Sequence, residues 1–289
     1  MKFWQAITWA ETDQLIEIAR FAEEMGFYGL MSGDHAVYPE SIVPNYPYAE
    51  SGVPPMQPED EYPDQTAIFA AMAAVTSKLL FTCGVYVLPL RNPHEVARAS
   101  ATLAILSDNR FILGVGIGWM KEEFDIYGVD FHQRGKITDE IIEVLQSLWS
   151  GQMVEYHGAH FDFPRVQLSP APSTHPPIYV GGSSEIALRR AARVGGGYIG
   201  AGTAPDDVGP LLQRLNELRQ EYGRDHLPFE AMIGISASPS LTLYQRLADR
   251  GLESTVAPPF QYALGKKHST VDEKKQSMET YAESIMRHF

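Results

Sequence analysis

The chain has 289 residues and a formal net charge of −13; 44% of its residues are hydrophobic and 20% are charged. This composition is typical of a folded globular protein, and the acidity disfavours binding to nucleic acid or to anionic membranes. The single cysteine, Cys83, cannot form an internal disulfide, and no secretory signal or apolar stretch of ~20 residues is present, so we expect a cytoplasmic enzyme.

Short apolar or β-branched runs alternate with helical patterns along the first half of the chain. The predicted strands are Lys2–Ile7, Tyr28–Ser32, Leu79–Leu88 and Phe111–Gly116. The predicted helices are Glu11–Met25, Gln65–Ser77, Pro93–Leu106 and Arg134–Trp149. The helices are indicated by apolar residues that recur with a period near 3.6, and the third strand is almost wholly apolar, as in a strand covered on both faces.

The second half repeats the alternation. Its predicted strands are Pro177–Val180, Tyr198–Ala201, Ala231–Ser236 and Ser254–Ala257. Its predicted helices are Ser184–Val194, Pro205–Tyr222, Leu241–Arg250 and Val271–His288. Eight β/α units without a compositional break predict a single domain over residues 1–289, an α/β fold in the form of a (β/α)8 TIM barrel. A doubly wound open sheet is the alternative, because a count of strands does not prove closure.

Two segments interrupt this alternation. Ala36–Asp64, after the second strand, contains seven prolines and four tyrosines but no lysine or arginine. It is too long for an ordinary connection, and we expect it to form a lid over a substrate pocket, with a mobile surface insertion as the alternative. Gly151–His175, before the fifth strand, has the alternating pattern of a small hairpin that turns near Gly158.

Two motifs follow predicted strands at the end where barrels keep their catalytic residues. Asp34 and His35 follow the second strand, and histidine exchanges protons near neutral pH while an adjacent aspartate can orient it. A turn that caps the loop backbone is the alternative. Gly114–Gly118 has the spacing G-x-G-x-G, which is a poor dinucleotide fingerprint. Its glycines would leave one face open for a flat ring, or they would permit close packing.

A third motif lies at the end of the fifth strand. Gly181, Gly182 and Ser183 lead into a helix, and the N–H groups at a helix N-terminus bind phosphate. Ser183, Ser184 and the Gly200–Thr203 turn together predict an anion site, with ordinary capping by serine as the alternative. The sequence offers no metal-ligand cluster, and His157 and His160 are interpreted as surface residues on a turn.

These segments together resemble the bacterial luciferase-like family, and within it the branch that uses the deazaflavin coenzyme F420. The resemblance extends over essentially the whole chain. It is carried by Val87–Pro93, Ala101–Ser107, Arg110–Trp119, Glu123-Phe124, Pro177–Ser184 and Gly195–Tyr198.

The resemblance implies a (β/α)8 barrel that binds a tricyclic ring at its C-terminal face. It implies a non-prolyl cis peptide between Gly84 and Val85 behind the ring. It also implies that His35, beside Asp34, contacts the ring or transfers a proton. The residues that it implies for cofactor binding are Asp34, His35, Gly84, Val85, Gly116, Gly118, Gly181, Gly182, Ser183 and Gly197.

The chain departs from the family at two positions. Trp119 stands where some relatives carry an acid that protonates substrate, so Trp119 and the lid residue Tyr38 are expected to contact a small, partly apolar or aromatic organic substrate. Gly196 stands where relatives commonly carry aspartate. Relatives are often dimers, and the Ala/Met-rich face of Gln65–Ser77 suits a homodimer contact or a cover for the barrel.

The expected function is transfer of a hydride between F420 and an organic substrate. The main alternative is an FMN-dependent monooxygenase that uses reduced flavin and oxygen. A cofactor-binding protein without turnover is a third hypothesis, and a hydrolytic barrel is a fourth and poorer one because no nucleophile–base pair is visible.

Overall fold

The computed structural model describes residues 1–49 and 51–289. The strands are β1 (Lys2–Ala6), β2 (Gly29–Ser32), β3 (Leu80–Cys83), β4 (Tyr86–Val87), β5 (Phe111–Gly116), β6 (Val154–His157), β7 (Asp162–Val166), β8 (Ile178–Gly181), β9 (Gly197–Thr203), β10 (Glu230–Ile235) and β11 (Ser254–Ala257). The helices are α1 (Leu15–Met25), α2 (Gln65–Ala73), α3 (Pro93–Leu106), α4 (Lys121–Tyr127), α5 (Arg134–Trp149), α6 (Glu185–Val194), α7 (Val208–Glu221), α8 (Leu241–Ala248), α9 (Phe260–Leu264) and α10 (Val271–Ser284). No helix in the described part of the chain has the length and apolar character needed to cross a membrane.

Eight parallel strands close into a barrel. Their order around the ring is β1, β2, β3, β5, β8, β9, β10 and β11, and β11 pairs again with β1. Each barrel strand leads into a helix on the outside, as right-handed crossovers require. The predicted (β/α)8 barrel is therefore confirmed, and the open doubly wound sheet is wrong.

The predicted third strand is broken in two. The cis peptide bond between Gly84 and Val85 separates β3 from β4, and a 3-10 turn over Leu88–Leu90 follows. The sequence from Leu79 to Leu88 is apolar because all of it is buried or half-buried, whether in a strand or in a turn. Burial therefore made two short strands and a turn look like one long strand.

The barrel has an outer core between strands and helices and a smaller inner core. The inner core consists of Trp4, Ala6, Ile112, Tyr179, Ile199, Met232 and Val256. At the end where the strands begin, the buried carboxylate of Glu230 accepts hydrogen bonds from Lys2, Trp4 and Ser254. This polar network fills the N-terminal end of the barrel interior.

Both predicted insertions are present. Ala36–Asp64 runs between β2 and α2, and its described residues form neither helix nor strand. The strands β6 and β7 form the predicted antiparallel hairpin, which turns at Gly158. Glu140 of α5 accepts the N–H groups of the hairpin tip, and His157 is an exposed residue bonded to Asp162, as its surface interpretation predicts. The helices α4 and α9 were not predicted.

Candidate active site

His35 lies three residues after the end of β2, at the C-terminal face of the barrel. Its Nδ1 is 2.9 Å from Oε2 of Glu123, on α4. The other oxygen of Glu123 accepts the backbone N–H of Ala36 at 2.8 Å. The Glu123 side chain is 2% exposed and the imidazole 14% exposed, so α4 holds a nearly buried carboxylate against a histidine at the barrel mouth.

Asp34 is directed away from this pair. Its two carboxylate oxygens are each 3.0 Å from Nη2 of Arg91, and Oδ2 also accepts the N–H of Val87. Burial raises the pKa of the Asp34 carboxyl, and the Arg91 guanidinium opposes that rise. The expectation that Asp34 orients His35 is therefore corrected: Glu123 bonds the imidazole, and Asp34 fixes the segment that follows the cis peptide.

The glycines at the ends of β5 and β8 make room for a side chain of the protein itself. A Cβ on Gly116 would lie 2.2 Å from Cγ2 of Val85, and one on Gly181 would lie 2.4 Å from Cγ1 of the same residue. Val85 therefore fills the space above the inner core. The expectation of a glycine face open to a flat ring is corrected at Gly116, where close packing is the observed arrangement.

The other two glycines of this region are packed just as closely. A Cβ on Gly84 would lie 2.4 Å from the sulfur of Met31. Gly118 has φ of +77° and lies between the side chains of Val87 and Phe124. These glycines shape the backbone on which Val85 and Trp119 sit.

The predicted anion site lies where β8 leads into α6. Gly182 has φ of +123°, which favours glycine, and Ser183 follows it on the surface. Ser184 caps the helix, since its hydroxyl accepts the N–H of Ala187, and this confirms the capping alternative for that residue. β9 lies beside this turn, with Ile199 paired to Gly181, so the rim of Gly200–Thr203 is adjacent as expected.

Gly197 is not part of this face. It is the first residue of β9 and pairs with Glu230, the first residue of β10, at the filled N-terminal end. A Cβ there would lie 2.6 Å from the carbonyl oxygen of Glu230 and 2.7 Å from the ring of Tyr179. The expected contact of Gly197 with a cofactor at the mouth is therefore wrong, because the turn precedes its strand rather than following it.

Aromatic rings from the lid and from the segment between β5 and α4 pack against His35. The ring of Tyr62 lies edge-on to the imidazole with a centroid distance of 5.2 Å, and Trp119 does so at 5.8 Å. Tyr46 packs against Trp119 at 5.1 Å, whereas Tyr38 is half-buried nearer the start of the lid. Burial raises the pKa of Tyr46 to about 12 and also raises the pKa of Tyr62, so both phenols are neutral at physiological pH.

Carboxylates tie this lid to the barrel. Glu122 of α4 accepts the N–H of Val43, and Glu61 accepts that of Thr12 after β1. Lys267, in the loop after α9, lies 3.4 Å from both Glu59 and Asp60. These contacts and the lid rings beside His35 and Trp119 place the described part of the segment at the mouth, which favours the lid interpretation over a surface insertion.

Sequence reasoning missed Glu123 and Arg91 as site residues. The pair Glu122–Glu123 was visible, but nothing in the sequence distinguishes the buried carboxylate from the lid tether beside it. Arg91 ends an apolar run just after one strand, and Asp34 follows the end of the neighbouring strand. An ion pair at the strand ends could have been predicted from these two positions. Within residues 1–49 and 51–289, no group of three or more His, Cys, Asp or Glu could hold a metal ion.

Sequence comparisons bear on this site. A family model described as luciferase-like monooxygenase matches residues 4–284. An uncharacterized protein of Mycobacterium tuberculosis is 33% identical over 287 residues, which are 99% of this chain and 99% of that protein. An F420-dependent hydroxymycolic acid dehydrogenase of the same organism is 30% identical over 221 residues, which are 74% of this chain and 56% of that protein.

Solved structures share the fold. An F420-dependent secondary alcohol dehydrogenase in complex with an F420–acetone adduct has a TM-score of 0.77 at 16% identity, over 99% of this chain and 98% of that one. A type II Baeyer–Villiger monooxygenase of Pseudomonas putida in complex with FMN has a TM-score of 0.65 at 17% identity, over 98% and 79%. At these identities the likeness is one of fold.

Proposed function

Because this chain belongs to the luciferase-like monooxygenase family, we propose that it is an F420-dependent oxidoreductase that acts on a small organic substrate. Relatives in this family are oxidoreductases that use F420 or a flavin, so the chain is an enzyme of that class. The observation that carries the choice of F420 is His35, a histidine bonded to a buried carboxylate at the mouth of the barrel. A deazaflavin bound there would supply a carbon that accepts or donates a hydride.

The residues at the mouth fit such a cofactor. Val85 presents an apolar surface above the inner core against which a flat ring can rest, and Gly84, Gly116, Gly118 and Gly181 allow that surface to form. Gly182 and Ser183 lead into Ser184, the N-cap of α6, and the N-terminus of a helix suits a phosphate. Asp34 is paired with Arg91 and so positions the segment that follows the cis peptide. We therefore retain these residues, without Gly197, as the proposed cofactor site.

His35 is the proposed catalytic residue. Its Nδ1 is bonded to Glu123, which leaves Nε2 as the nitrogen that exchanges a proton with the substrate. Hydride transfer to a carbonyl carbon requires a proton for the oxygen, and hydride removal from an alcohol carbon requires a base for the hydroxyl proton. The lid closes over this point and excludes water from the reacting groups.

The lid supports a neutral substrate with apolar or aromatic surface. Trp119, Tyr46 and Tyr62 supply rings beside His35, and Tyr38 is a further candidate from the lid. Arg91, which follows β4, and Lys267, which contacts the lid, are both paired with carboxylates, so an anionic substrate that used either cation would have to break an ion pair.

FMN-dependent monooxygenation is the second candidate function. It is favoured by the shared fold with a monooxygenase that binds FMN. The same rim of Gly182 and Ser183 suits the phosphate of either cofactor. Reduced flavin would supply electrons to oxygen, so consumption of oxygen with a flavin reductase present distinguishes this function from the first.

Replacement of His35 tests the proposed function. We expect His35→Ala to bind F420 with nearly unchanged affinity and to lose turnover by roughly 10²-fold or more in a panel of alcohols, ketones and aromatic enones. His157→Ala is the matched control, because His157 is also bonded to a carboxylate but lies on the exposed hairpin. Equal turnover in His35→Ala and in the control would refute the catalytic role.

We further propose that residues 1–289 act as one cytoplasmic domain that forms a homodimer. The contact would use the exposed side of α2 and α3, where a groove is lined by Ala67, Ala70 and Leu106. Leu106 is 65% exposed and Ile105 47% exposed on this side. The opposite face of α2 covers the barrel, since Phe69 and Met72 are buried there.

A further inference from the structure

Two donors converge on one buried carboxylate in the active site. Nδ1 of His35 lies 2.9 Å from Oε2 of Glu123, and the N–H of Ala36 lies 2.8 Å from Oε1. An ionised carboxylate only accepts hydrogen bonds. Both ring nitrogen and backbone nitrogen must therefore present a hydrogen to Glu123, and each of its oxygens is used.

We propose that Glu123 is a positioning residue that fixes His35 as the tautomer protonated at Nδ1 and so keeps the lone pair of Nε2 directed at the mouth. This role rests on the proposed function, in which Nε2 exchanges a proton with substrate. A neutral histidine carries its proton on only one nitrogen, and the hydrogen bond at the other nitrogen selects which one.

The backbone contact makes the arrangement specific for a carboxylate. The N–H of Ala36 can only donate, so the oxygen opposite it must accept. The atom opposite Nδ1 then decides the tautomer of His35. Glutamate offers two acceptors, whereas glutamine, which has the same shape, offers one acceptor and one donor.

A glutamine at this position would either reverse the tautomer of His35 or lose one of the two bonds. If its oxygen stays on Ala36, its NH₂ faces Nδ1, which must then become an acceptor, so the ring proton moves to Nε2. If its oxygen turns to Nδ1, the NH₂ faces the N–H of Ala36 and leaves a backbone donor unsatisfied. The first outcome costs only a change of tautomer, whereas the second loses a hydrogen bond in a nearly buried place.

The surrounding groups leave Glu123 as the one that selects the tautomer. Tyr62 and Trp119 meet the imidazole edge-on as rings, and Asp34 makes its bonds with Arg91 and Val87. Among the residues that the structure describes, Glu123 makes the side-chain hydrogen bond to His35. Its neighbour Glu122 bonds Val43 of the lid instead, which provides a matched control on the same turn of α4.

The direct test is ¹⁵N NMR of imidazole-labelled protein at a pH where the ring is neutral. The signal of His35 is assigned by its loss in His35→Gln, since the chain has 9 histidines. We expect the wild type and Glu122→Gln to show protonated Nδ1 and unprotonated Nε2. We expect Glu123→Gln to show the reverse. A wild-type His35 protonated at Nε2 would overturn the proposal without any variant, as would an unchanged tautomer in Glu123→Gln.

Turnover provides the second readout. With F420 as the probe, we expect Glu123→Gln to lower kcat by roughly 10²-fold while the KM of a substrate and the Kd of F420 change little. Asp162→Asn, which removes the carboxylate bonded to the exposed His157 on the hairpin, keeps kcat within a few-fold. An unchanged kcat in Glu123→Gln together with a reversed tautomer would refute the functional part of the inference. If the wild type neither binds nor turns over F420 but shows the expected tautomers, the proposed function fails while the positioning by Glu123 stands.

Discussion

Val85 lies between glycines of two neighbouring strands, and enlargement of one of them tests how the barrel mouth is built. A Cβ on Gly181 would lie 2.4 Å from Cγ1 of Val85, which is far inside van der Waals contact. Its next neighbours, the carbonyl oxygen of Ile199 and Cβ of Val85, would lie at 3.5 and 3.6 Å, which are ordinary distances. The obstacle in Gly181→Ala is therefore a single methyl group.

The size of the effect follows from this geometry. Overpacking of a well-packed site costs about 1–3 kcal/mol, and about 1 kcal/mol lowers Tm by roughly 2–4 °C in a protein of this size. Val85→Ala removes two carbons at a half-buried site and costs about 1.5 kcal/mol at ~0.8 kcal/mol for each carbon. In the Val85→Ala background the obstructing methyl is gone, so the added cost of Gly181→Ala falls to nearly zero.

Chemical denaturation of the wild type, both single variants and the double variant forms a double-mutant cycle. We expect a coupling free energy of about 1–3 kcal/mol, with the double variant about as stable as Val85→Ala alone. Gly209→Ala is the control, because a Cβ there meets no atom within 4 Å and the residue lies in α7. Additive costs in the cycle would refute the packing of Val85 against Gly181.

Three further variants test the Asp34–Arg91 ion pair, the hydrogen bonds of Glu23 and the proposed contact surface at Leu106. Asp34→Asn leaves Arg91 without its charged partner and should lower the free energy of unfolding by about 2–4 kcal/mol in urea titrations. This is somewhat below the cost for a fully buried pair, because Arg91 is 21% exposed. The control Asp125→Asn breaks a surface pair and should cost under ~1 kcal/mol. Partial burial opposes ionisation of Glu23, but three backbone N–H groups outweigh it and lower its pKa below 4.5. The stabilisation by the Glu23 carboxylate is thus complete above pH 4.5 and is lost as the pH falls. Glu23→Gln should therefore lower the free energy of unfolding by about 1 kcal/mol near neutral pH, with a lower Tm, and should match the wild type in acid. Leu106→Glu should convert a dimer to a monomer in light scattering with no loss of Tm; an unchanged mass would refute a dimer contact at this helix.

The fold could be predicted because its signals are local and periodic. Alternation of strand and helix gave the eight units, and only the closing pairs β1–β11 and β3–β5 required the structure. The break between β3 and β4 was hidden, since an apolar sequence reports burial and does not distinguish a strand from a buried turn. The resemblance to the luciferase-like family located the cis bond that periodicity could not.

The site was predicted less completely, because its contacts join distant parts of the chain. Proximity in sequence suggested that Asp34 orients His35, whereas the observed partner is Glu123, which lies 88 residues away. Gly197 resembled a cofactor residue, yet its place as the first residue of β9 puts it at the opposite end of the barrel from the mouth. Side-chain direction after a strand end is set by tertiary packing, and this is what the sequence alone leaves open.

The central claim is that the mouth lined by His35, Val85 and Ser183 binds a deazaflavin. Titration of the purified protein with F420 and, separately, with FMN, followed by the fluorescence and visible absorption of each cofactor, tests it most directly. We expect saturable binding of F420 with a spectral change. We expect Gly181→Ala to weaken this binding and Gly209→Ala to retain it. Tight binding of FMN with no binding of F420 would contradict it.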